Sequence, residues 1–168
     1  MWLKLSGILL TLTTFLFPAI GFSGGFKNEP EGFRDIKWGA SLVALRDMEY
    51  QGIDSGAGEV KVYTRKNNSL EMGKAKLQKI EYNFWQEKFY SVLIYTQDFS
   101  NFETLKEFCF KNFEKGNQPN QYFKEYYWFG DISIILLRYN ESSRQGILFI
   151  SSKKLQEEIE TYKKQKKE

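Results

Sequence analysis

Hydrophobic and polar positions alternate with a period of two along much of the chain, and this is the pattern of half-buried β-strands. The alternation and the apolar runs predict six strands, over about 60–65, 75–85, 89–96, 122–129, 132–139 and 147–151. Short polar segments at 86–88, 130–131 and 140–145 predict tight turns between consecutive strands. The strands are therefore expected to pair as antiparallel hairpins.

A helical period replaces the alternation in three places. Ser100 and Glu103 have the spacing of a capping box, and apolar residues follow at three- and four-residue intervals, which predicts a helix over about 100–115. Ser41 is expected to cap a short first helix, which ends before the glycine-rich loop at 51–58. Ser152 is expected to cap a last helix with one apolar stripe, formed by Leu155, Ile159 and Tyr162.

These elements predict an α+β fold, an antiparallel sheet of about six strands with two to three helices. A helix followed by three strands occurs twice, and Ser41 and Ser100 are 59 positions apart, as 100 − 41 gives. A duplicated α-β-β-β unit would explain this order. The alternative is a single antiparallel sheet that alternates with helices in this way without any duplication.

Residues 1–23 have the layout of a secretory signal peptide. Lys4 precedes an apolar run over 8–22, and the predicted cleavage site lies between Ser23 and Gly24. The alternative is a retained membrane anchor, but a span needs about 20 apolar residues. We expect an exported protein, periplasmic in a Gram-negative source and otherwise secreted. Membrane contact is expected only through an uncleaved signal segment.

The rest of the chain divides by composition. Residues 24–32 (GGFKNEPEG) predict a flexible lead-in, and residues 33–162 predict a single α+β domain. The lysine-rich residues 163–168 predict a basic C-terminal tail. A domain of this length buries a core without disulfides.

Composition then limits the chemistry. The 168 residues include no His and one Cys, so the usual structural zinc sites and the Ser-His and Cys-His nucleophile pairs are excluded. We therefore predict no cofactor, no metal and no enzymatic activity. The 24 Lys and Arg against 21 Asp and Glu give a net charge of +3, too small to indicate nucleic acid as a partner.

The residues that open the domain form the motif F-x-x-I-x-W-G-x-S-L, here Phe33, Ile36, Trp38, Gly39, Ser41 and Leu42. The motif resembles the opening of a loose group of small exported bacterial proteins of unassigned function. The resemblance implies an exported α+β domain and no catalytic residue. Within the motif, Trp38 is expected to be largely buried and to fix the lead segment to the sheet.

Two kinds of reactive group remain. Cys109 lies on the apolar stripe of the predicted helix over 100–115, which favours a buried, inert thiol over a reactive one. The carboxylates that could perform acid–base chemistry lie on predicted loops or helix faces near Lys or Arg, which favours solvated surface charge; they are Asp35, Asp47, Glu49, Glu157 and Glu158.

The aromatic run 122–129 is the most unusual feature of the sequence. Period-two geometry divides it into one set with Tyr122, Tyr126 and Trp128 and a second set with Phe123, Tyr127 and Phe129. Because the second set holds two phenylalanines, we expect it to face the core. The first set, together with Trp85, is then expected to form an outward aromatic surface that binds a partner. The alternative is that both sets serve the core and ordinary cross-strand packing.

These observations favour an exported, non-enzymatic envelope protein that binds another envelope component, protein or lipid, through an aromatic sheet face. The first alternative is a structural subunit of an envelope assembly. A hydrolase with a carboxylate site is a further and weaker alternative.

Overall fold

The structure is a computed structural model that describes residues 25–54 and 59–166. Its strands are β1 (Gly32–Phe33), β2 (Ile36–Lys37), β3 (Met48–Asp54), β4 (Val60–Arg65), β5 (Glu71–Met72), β6 (Ala75–Lys76), β7 (Lys79–Trp85), β8 (Lys88–Gln97), β9 (Glu125–Phe129), β10 (Ser133–Asn140) and β11 (Gln145–Ser152). Its α-helices are α1 (Phe99–Phe113) and α2 (Lys153–Gln165), and Leu42–Ala44 form one 3₁₀ turn. The predicted signal peptide and its cleavage site, Ser23 and Gly24, lie outside the described residues.

The α+β class is confirmed. Seven antiparallel strands form one sheet in the order β3-β4-β7-β8-β11-β10-β9, and β1-β2 and β5-β6 form two small hairpins. The main sheet thus has seven strands where six were predicted. The additional strand is β3, part of which lies in the segment predicted as a glycine-rich loop. Gly52 lies at a register shift in β3 with a φ of +154°, so this glycine marks a β-bulge and not the end of a strand.

The first predicted helix is reduced to the 3₁₀ turn at Leu42–Ala44, and the Ser41 side chain does not cap it. The backbone there is engaged by the β7-β8 hairpin instead. Gly39 N–H donates to the Phe89 carbonyl at 2.8 Å, and Leu42 N–H donates to the Glu87 carbonyl at 2.8 Å. Gly39 has a φ of +80°, a conformation that glycine adopts without strain.

The opening motif attaches the chain to this hairpin. Phe33 and Ile36 are paired across β1-β2 and are buried. The Trp38 ring packs on Phe89 with 5.0 Å between ring centroids, and its Nε1 donates to the Pro30 carbonyl at 2.9 Å. Trp38 is half-buried and packs against the main core, so its predicted burial is only partial.

Helix α1 occurs where it was predicted, but its cap differs. Asp98 and not Ser100 is the N-cap, and the Asp98 side chain accepts a hydrogen bond from Asn101 N at 2.9 Å. The helix ends at Glu114, whose φ is +69°, and not at Gly116. Its buried stripe is the predicted one, formed by Phe102, Leu105, Cys109 and Phe113.

Helix α2 begins as predicted, with the Ser152 hydroxyl accepting from Leu155 N at 3.3 Å. It continues to Gln165, so the first residues of the predicted basic tail are helical. Leu155 and Ile159 pack in a small cluster with Val60, Trp85 and Tyr90. Helix α2 thereby covers one end of the sheet face opposite to α1.

The main core lies between α1 and the sheet. Its buried residues include Ile80, Tyr82 and Phe84 of β7, Val92 and Ile94 of β8, Ile135 and Leu137 of β10, and Leu148 and Ile150 of β11. Alternate residues of these same strands point to the opposite face. Which residues reach that opposite face therefore decides what the molecule presents to a partner.

The lead-in predicted to be flexible packs against the domain from Gly25 onward. The Phe26 ring meets Phe113 edge to face at 5.9 Å. The Glu29 Oε1 atom accepts from the backbone N–H groups of Ile132 and Ser133 at 2.5 and 2.7 Å, at the β9-β10 turn. This segment has its own apolar anchor and its own hydrogen bonds, which its glycines and charges do not indicate.

Candidate functional site

The aromatic run begins its strand later than predicted. Strand β9 starts at Glu125, and Tyr122 and Phe123 precede it in a turn where they are 85% and 59% exposed. The Asn120 side chain accepts from Tyr122 N at 3.0 Å, which fixes this turn. Tyr122 is therefore exposed, as predicted, but it does not lie on the sheet.

The predicted orientation of the strand is wrong. Tyr126 and Trp128 are 8% and 4% exposed, and they lie beneath α1 in the main core. The Phe110 ring meets Tyr126 at 5.1 Å, and Trp128 Nε1 donates to the Glu114 carbonyl at 3.0 Å. The Trp128 ring also lies against Gly116, where a Cβ atom would come within 2.8 Å of it.

The physical reason is that tryptophan and tyrosine are suited to a core where a polar partner is within reach. The free carbonyl at the C-terminal end of α1 provides that partner for Trp128. Trp85 is likewise buried, at 5% exposure, and its ring meets Tyr162 of α2. The predicted outward surface formed by Tyr126, Trp128 and Trp85 therefore does not exist.

The other residues of this strand, Tyr127 and Phe129, face away from α1. The Tyr127 and Phe129 rings stack with 5.9 Å between centroids and 5° between planes. Their face of the sheet includes half-buried side chains that belong to neither core cluster. We define the open face as the half-buried residues Leu93, Tyr95, Tyr127, Leu136 and Arg138, together with Ile147, which lies among them and is 5% exposed.

Strand register places these residues in two adjacent lines across the sheet. Leu93, Phe149, Leu136 and Tyr127 face one another in turn across β8, β11, β10 and β9. The second line contains Tyr95, Ile147, Arg138 and Glu125 on the same four strands. At about 4.8 Å between strands, each line extends roughly 14 Å.

Helix α2 covers only part of this face of the sheet. Val60, Trp85 and Tyr90 are buried beneath it, whereas Leu93, Tyr127 and Leu136 remain half-buried. Within the described residues, no second helix packs beside α2 on this face. The open face is thus a largely apolar surface that extends over strands β8, β11 and β10 to the edge strand β9.

The hydroxyl groups of the open face are hydrogen-bonded to carboxylates. Tyr95 Oη donates to Glu81 at 2.8 Å, and Tyr127 Oη donates to Glu125 at 3.0 Å. Burial, reinforced by the hydrogen bond to Glu125, raises the pKa of Tyr127 to about 12. Burial and the charge of Glu81 also raise the pKa of Tyr95. Both phenols are therefore neutral hydrogen-bond donors at physiological pH.

Three of the candidate catalytic carboxylates, Asp35, Asp47 and Glu49, lie in ion pairs, and the other two, Glu157 and Glu158, lie on α2. Arg65 donates to Asp35 at 2.5 and 2.9 Å and to Asp47 at 2.5 Å, and the hydrogen bond from Arg65 lowers the pKa of Asp35. Glu49 lies 3.8 Å from Lys66. The predicted burial of Cys109 is confirmed, and burial raises the pKa of its thiol to about 12. Such a thiol holds almost no thiolate at neutral pH.

Comparison of the chain with family models, with curated proteins and with solved structures finds no match. In residues 25–54 and 59–166, no group of three or more His, Cys, Asp or Glu side chains is arranged to hold a metal ion. None of the helices in this same part of the chain is long and apolar enough to cross a membrane.

The sequence held one indication of the true orientation. Tyr127, Leu136 and Arg138 share a face once β9 and β10 are paired, and a charged residue within that set indicates the solvent side. Its opposite set on β10, Ile135 and Leu137, has no charge. Arg138 thus marks the open face, which a comparison of aromatic residues within β9 alone does not identify.

Proposed function

We propose that this protein is an exported, non-enzymatic envelope protein that binds another envelope component through its open face. The observation that supports this proposal is the line of apolar and aromatic side chains in which Leu93, Leu136 and Tyr127 lie outside both core clusters, while Phe149 between them packs against the cluster beneath α2. Contiguous apolar surface on a rigid scaffold is typical of interaction sites.

The geometry favours binding over catalysis. The Tyr127 backbone is held on both sides, by β10 and by two 2.8 Å hydrogen bonds with Asn117 on its outer edge. Its ring is held against Phe129. Such preorganised aromatic groups lose little entropy on binding. The carboxylates Asp35 and Asp47, by contrast, are charge-neutralised by Arg65, which is unfavourable for a general acid.

Export and location are part of the same proposal. The signal peptide predicted over residues 1–23 directs the chain to the periplasm or the exterior. A fold stabilised by its core, with its single cysteine buried, is compatible with an oxidising compartment. Contact with a membrane through the chain itself is proposed only for the uncleaved precursor.

We also infer that the fold arose by duplication of an α-β-β-β unit, in which the helix of the first copy is reduced to the 3₁₀ turn at Leu42–Ala44. The first half contributes β4-β7-β8 and the second contributes β9-β10-β11, each as three neighbouring strands. The two sets meet at the β8-β11 pair in mirrored order. This arrangement is what a two-fold axis between β8 and β11 would produce.

The test is affinity capture from the protein's own cell envelope. The tagged full-length gene is expressed so that export and processing occur, and the purified exported chain is the bait. Tyr127→Ser combined with Leu136→Ser is expected to abolish capture of the partner that the unaltered bait retains. The matched control, Val43→Ser with Tyr50→Ser, changes residues that are 84% and 55% exposed outside the open face and is expected to retain it.

A circular dichroism melt of each bait separates loss of the surface from loss of the fold. Undiminished capture by a folded Tyr127→Ser/Leu136→Ser bait would refute the proposed site. Tyr122→Ser is a separate bait, because this exposed residue remains a candidate for partner binding outside the sheet. Loss of capture with Tyr122→Ser alone would place the binding surface on the turn before β9.

A further inference from the structure

A cleft of about 410 Å³ lies beside the C-terminal half of α1, and we call it the α1 cleft. It is on the opposite side of the sheet from the open face, since Ile150 at its base belongs to the main core beneath α1. The lead-in, the β1-β2 hairpin, β5 and α1 all border it. Cavities that hold small molecules in proteins have volumes of about 300–1,000 Å³, so the α1 cleft is large enough for one.

The interior of the α1 cleft is apolar. Phe33, Phe113 and Ile150 are buried and form its floor. Met72 and Phe108 are half-buried and form its walls. An alkyl chain that fills this space removes its own surface and that of the two walls from water, which is the favourable step in apolar binding. The interior therefore suits the hydrocarbon part of a ligand.

The walls of the α1 cleft are held in place by contacts between separate parts of the chain. The Asn28 side chain donates to the Asn112 carbonyl at 2.9 Å, which joins the lead-in to α1. The turn between β5 and β6 lies directly on the α1 wall, since a Cβ atom at Gly73 would come within 2.7 Å of the Phe108 ring. A preformed cavity loses little conformational entropy when a ligand binds.

Two opposite charges lie at the mouth of the α1 cleft, on the exposed residues Arg34 and Glu71. The Arg34 guanidinium donates to the Asn68 side chain and to the Ser69 and Glu71 carbonyls, which are all uncharged oxygen atoms. A guanidinium has five N–H donors, so two of them remain beyond these three bonds. In the described part of the chain, neither Arg34 nor the Glu71 carboxylate forms an ion pair.

We propose that the α1 cleft binds a single-chain lipid whose headgroup is zwitterionic, with one phosphate and one ammonium group. The acyl chain occupies the apolar interior, the phosphate accepts hydrogen bonds from Arg34, and the ammonium group pairs with Glu71. Guanidinium and phosphate form strong, charge-assisted hydrogen bonds. The α1 cleft shares no residue with the open face, so this site is a second one, beyond the function proposed above.

The pair of charges favours this headgroup over the alternatives. A headgroup with only a negative charge meets Glu71 as well as Arg34, and like charges repel each other. An uncharged headgroup covers both side chains without pairing either of them, and partly desolvated charges without a partner are costly. A headgroup with both charges provides a partner for each.

The test compares three lipids that share one lauroyl chain and differ in the headgroup. The purified exported chain is titrated calorimetrically with lysophosphatidylethanolamine, lysophosphatidylglycerol and monoacylglycerol, each below its critical micelle concentration. Lysophosphatidylethanolamine is expected to bind about 10-fold more tightly than the other two, because only its headgroup forms both charged contacts. Free phosphoethanolamine lacks the chain and is expected to bind more weakly than any of them.

Four variants separate the headgroup contacts from the shape of the cleft. Arg34→Gln is expected to lower the affinity for lysophosphatidylethanolamine to that for monoacylglycerol, which itself stays unchanged. Glu71→Gln is expected to make lysophosphatidylglycerol the preferred lipid, and Met72→Trp, which fills the interior, should weaken all three. The matched control Arg46→Gln, at an exposed site outside the cleft, should preserve the original order.

Methionine methyl NMR locates the bound lipid. Met72 lines the α1 cleft and Met48 of β3 does not, so lysophosphatidylethanolamine is expected to shift only the Met72 methyl signal. Binding that leaves Met72 unchanged, or that Tyr127→Ser with Leu136→Ser abolishes, would assign the lipid to another surface and overturn the proposal.

The titrations give two further outcomes that contradict the proposal. Equal affinities of the three lipids would overturn the zwitterionic headgroup, and so would an Arg34→Gln variant that weakens all three alike. Failure of every lipid to bind would overturn the site itself. The capture experiment with the open-face variants is independent of these results, because it changes no residue of the α1 cleft.

Discussion

The two faces of the sheet are built from the same strands, often from adjacent residues, and yet they differ in what covers them. Tyr126 and Trp128 lie beneath α1, whereas Tyr127 and Phe129, one residue along, lie on the face that α2 covers only at one end. Both pairs are aromatic. Burial here is decided by the helix that lies above, and not by the hydrophobicity of the residues themselves.

We call the sheet face beneath α1 the sealed face. It is covered by α1 and by the β5-β6 hairpin. Helix α1 contributes four buried side chains where α2 contributes two, Leu155 and Ile159. The β5-β6 hairpin is tied to α1 by a 3.1 Å hydrogen bond from Lys76 N to Asn101, and Ala75 beside it is fully buried. The open face has no such additional segment in residues 25–54 and 59–166. Within the described residues, the open face is therefore the less completely covered of the two faces.

The largest expected effect comes from removing aromatic mass from the sealed face. Tyr126→Ser with Trp128→Ser should leave little or no folded protein, because each buried aromatic contributes about 3–5 kcal/mol. Two such losses are comparable to a total stability of about 5–15 kcal/mol. The matched pair on the other face of β9, Tyr127→Ser with Phe129→Ser, should remain folded. Urea unfolding followed by tryptophan fluorescence measures both variants.

Equal destabilisation by the two pairs would contradict this comparison. It would mean that the open face contributes to stability as a core does, and that it is not available for a partner. Because the two residues of each pair are neighbours, only the total effect of each double variant is compared.

An intermediate effect is expected beneath α2. Ile159→Ala should lower the free energy of unfolding by about 2 kcal/mol, the lower end of the range for a buried isoleucine, because its cluster is small. Leu136→Ala on the open face should cost less than about 1 kcal/mol, since the side chain is only partly buried and belongs to neither core cluster. The same urea experiment ranks the two.

If Leu136→Ala destabilised the protein more than Ile159→Ala, the side chains of the open face would be packed more tightly than the cluster beneath α2. A melt of Ile159→Ala followed by far-ultraviolet circular dichroism also reports whether α2 separates from the sheet before the rest unfolds. Such an early transition would enlarge the open face.

Local physics made several elements predictable from sequence. The turn after β7 has Gln86 and Glu87 at φ values of +47° and +62°, a tight hairpin in the position that the polar break predicted. Ser152 caps α2, because an N-cap depends only on residues within one turn. The buried side of α1 was also predictable, because helical spacing within the segment shows which residues share a face.

Long-range packing explains what could not be predicted. The Asp98 cap competes with Ser100 two residues later, and the Asp98 backbone is also held by a hydrogen bond from its N–H to the Arg144 carbonyl, a residue distant in sequence. Strand β3 depends on pairing with β4 across a bulge at Gly52. The orientation of β9 depends on its packing beneath α1, which no pattern within β9 itself indicates. The open face was therefore missed together with Leu93, Leu136 and Arg138.

The smallest expected effect is a pH dependence that belongs to the open face. Burial raises the pKa of Tyr127 from its ordinary value of 10.0 to about 12 in the folded protein. A raised pKa stabilises the fold fully below pH 10, and this contribution is lost as the pH rises from 10 towards 12. Tyr127→Phe cannot ionise, so its stability should fall less steeply over that interval, by under about 1 kcal/mol because the ring is partly solvated. Urea midpoints of the two proteins at several pH values measure the difference, and parallel curves would show that Tyr127 ionises as freely as in the unfolded chain. The buried Tyr90, whose pKa is also raised to about 12, remains in both proteins, so only the difference between the curves reports on the open face.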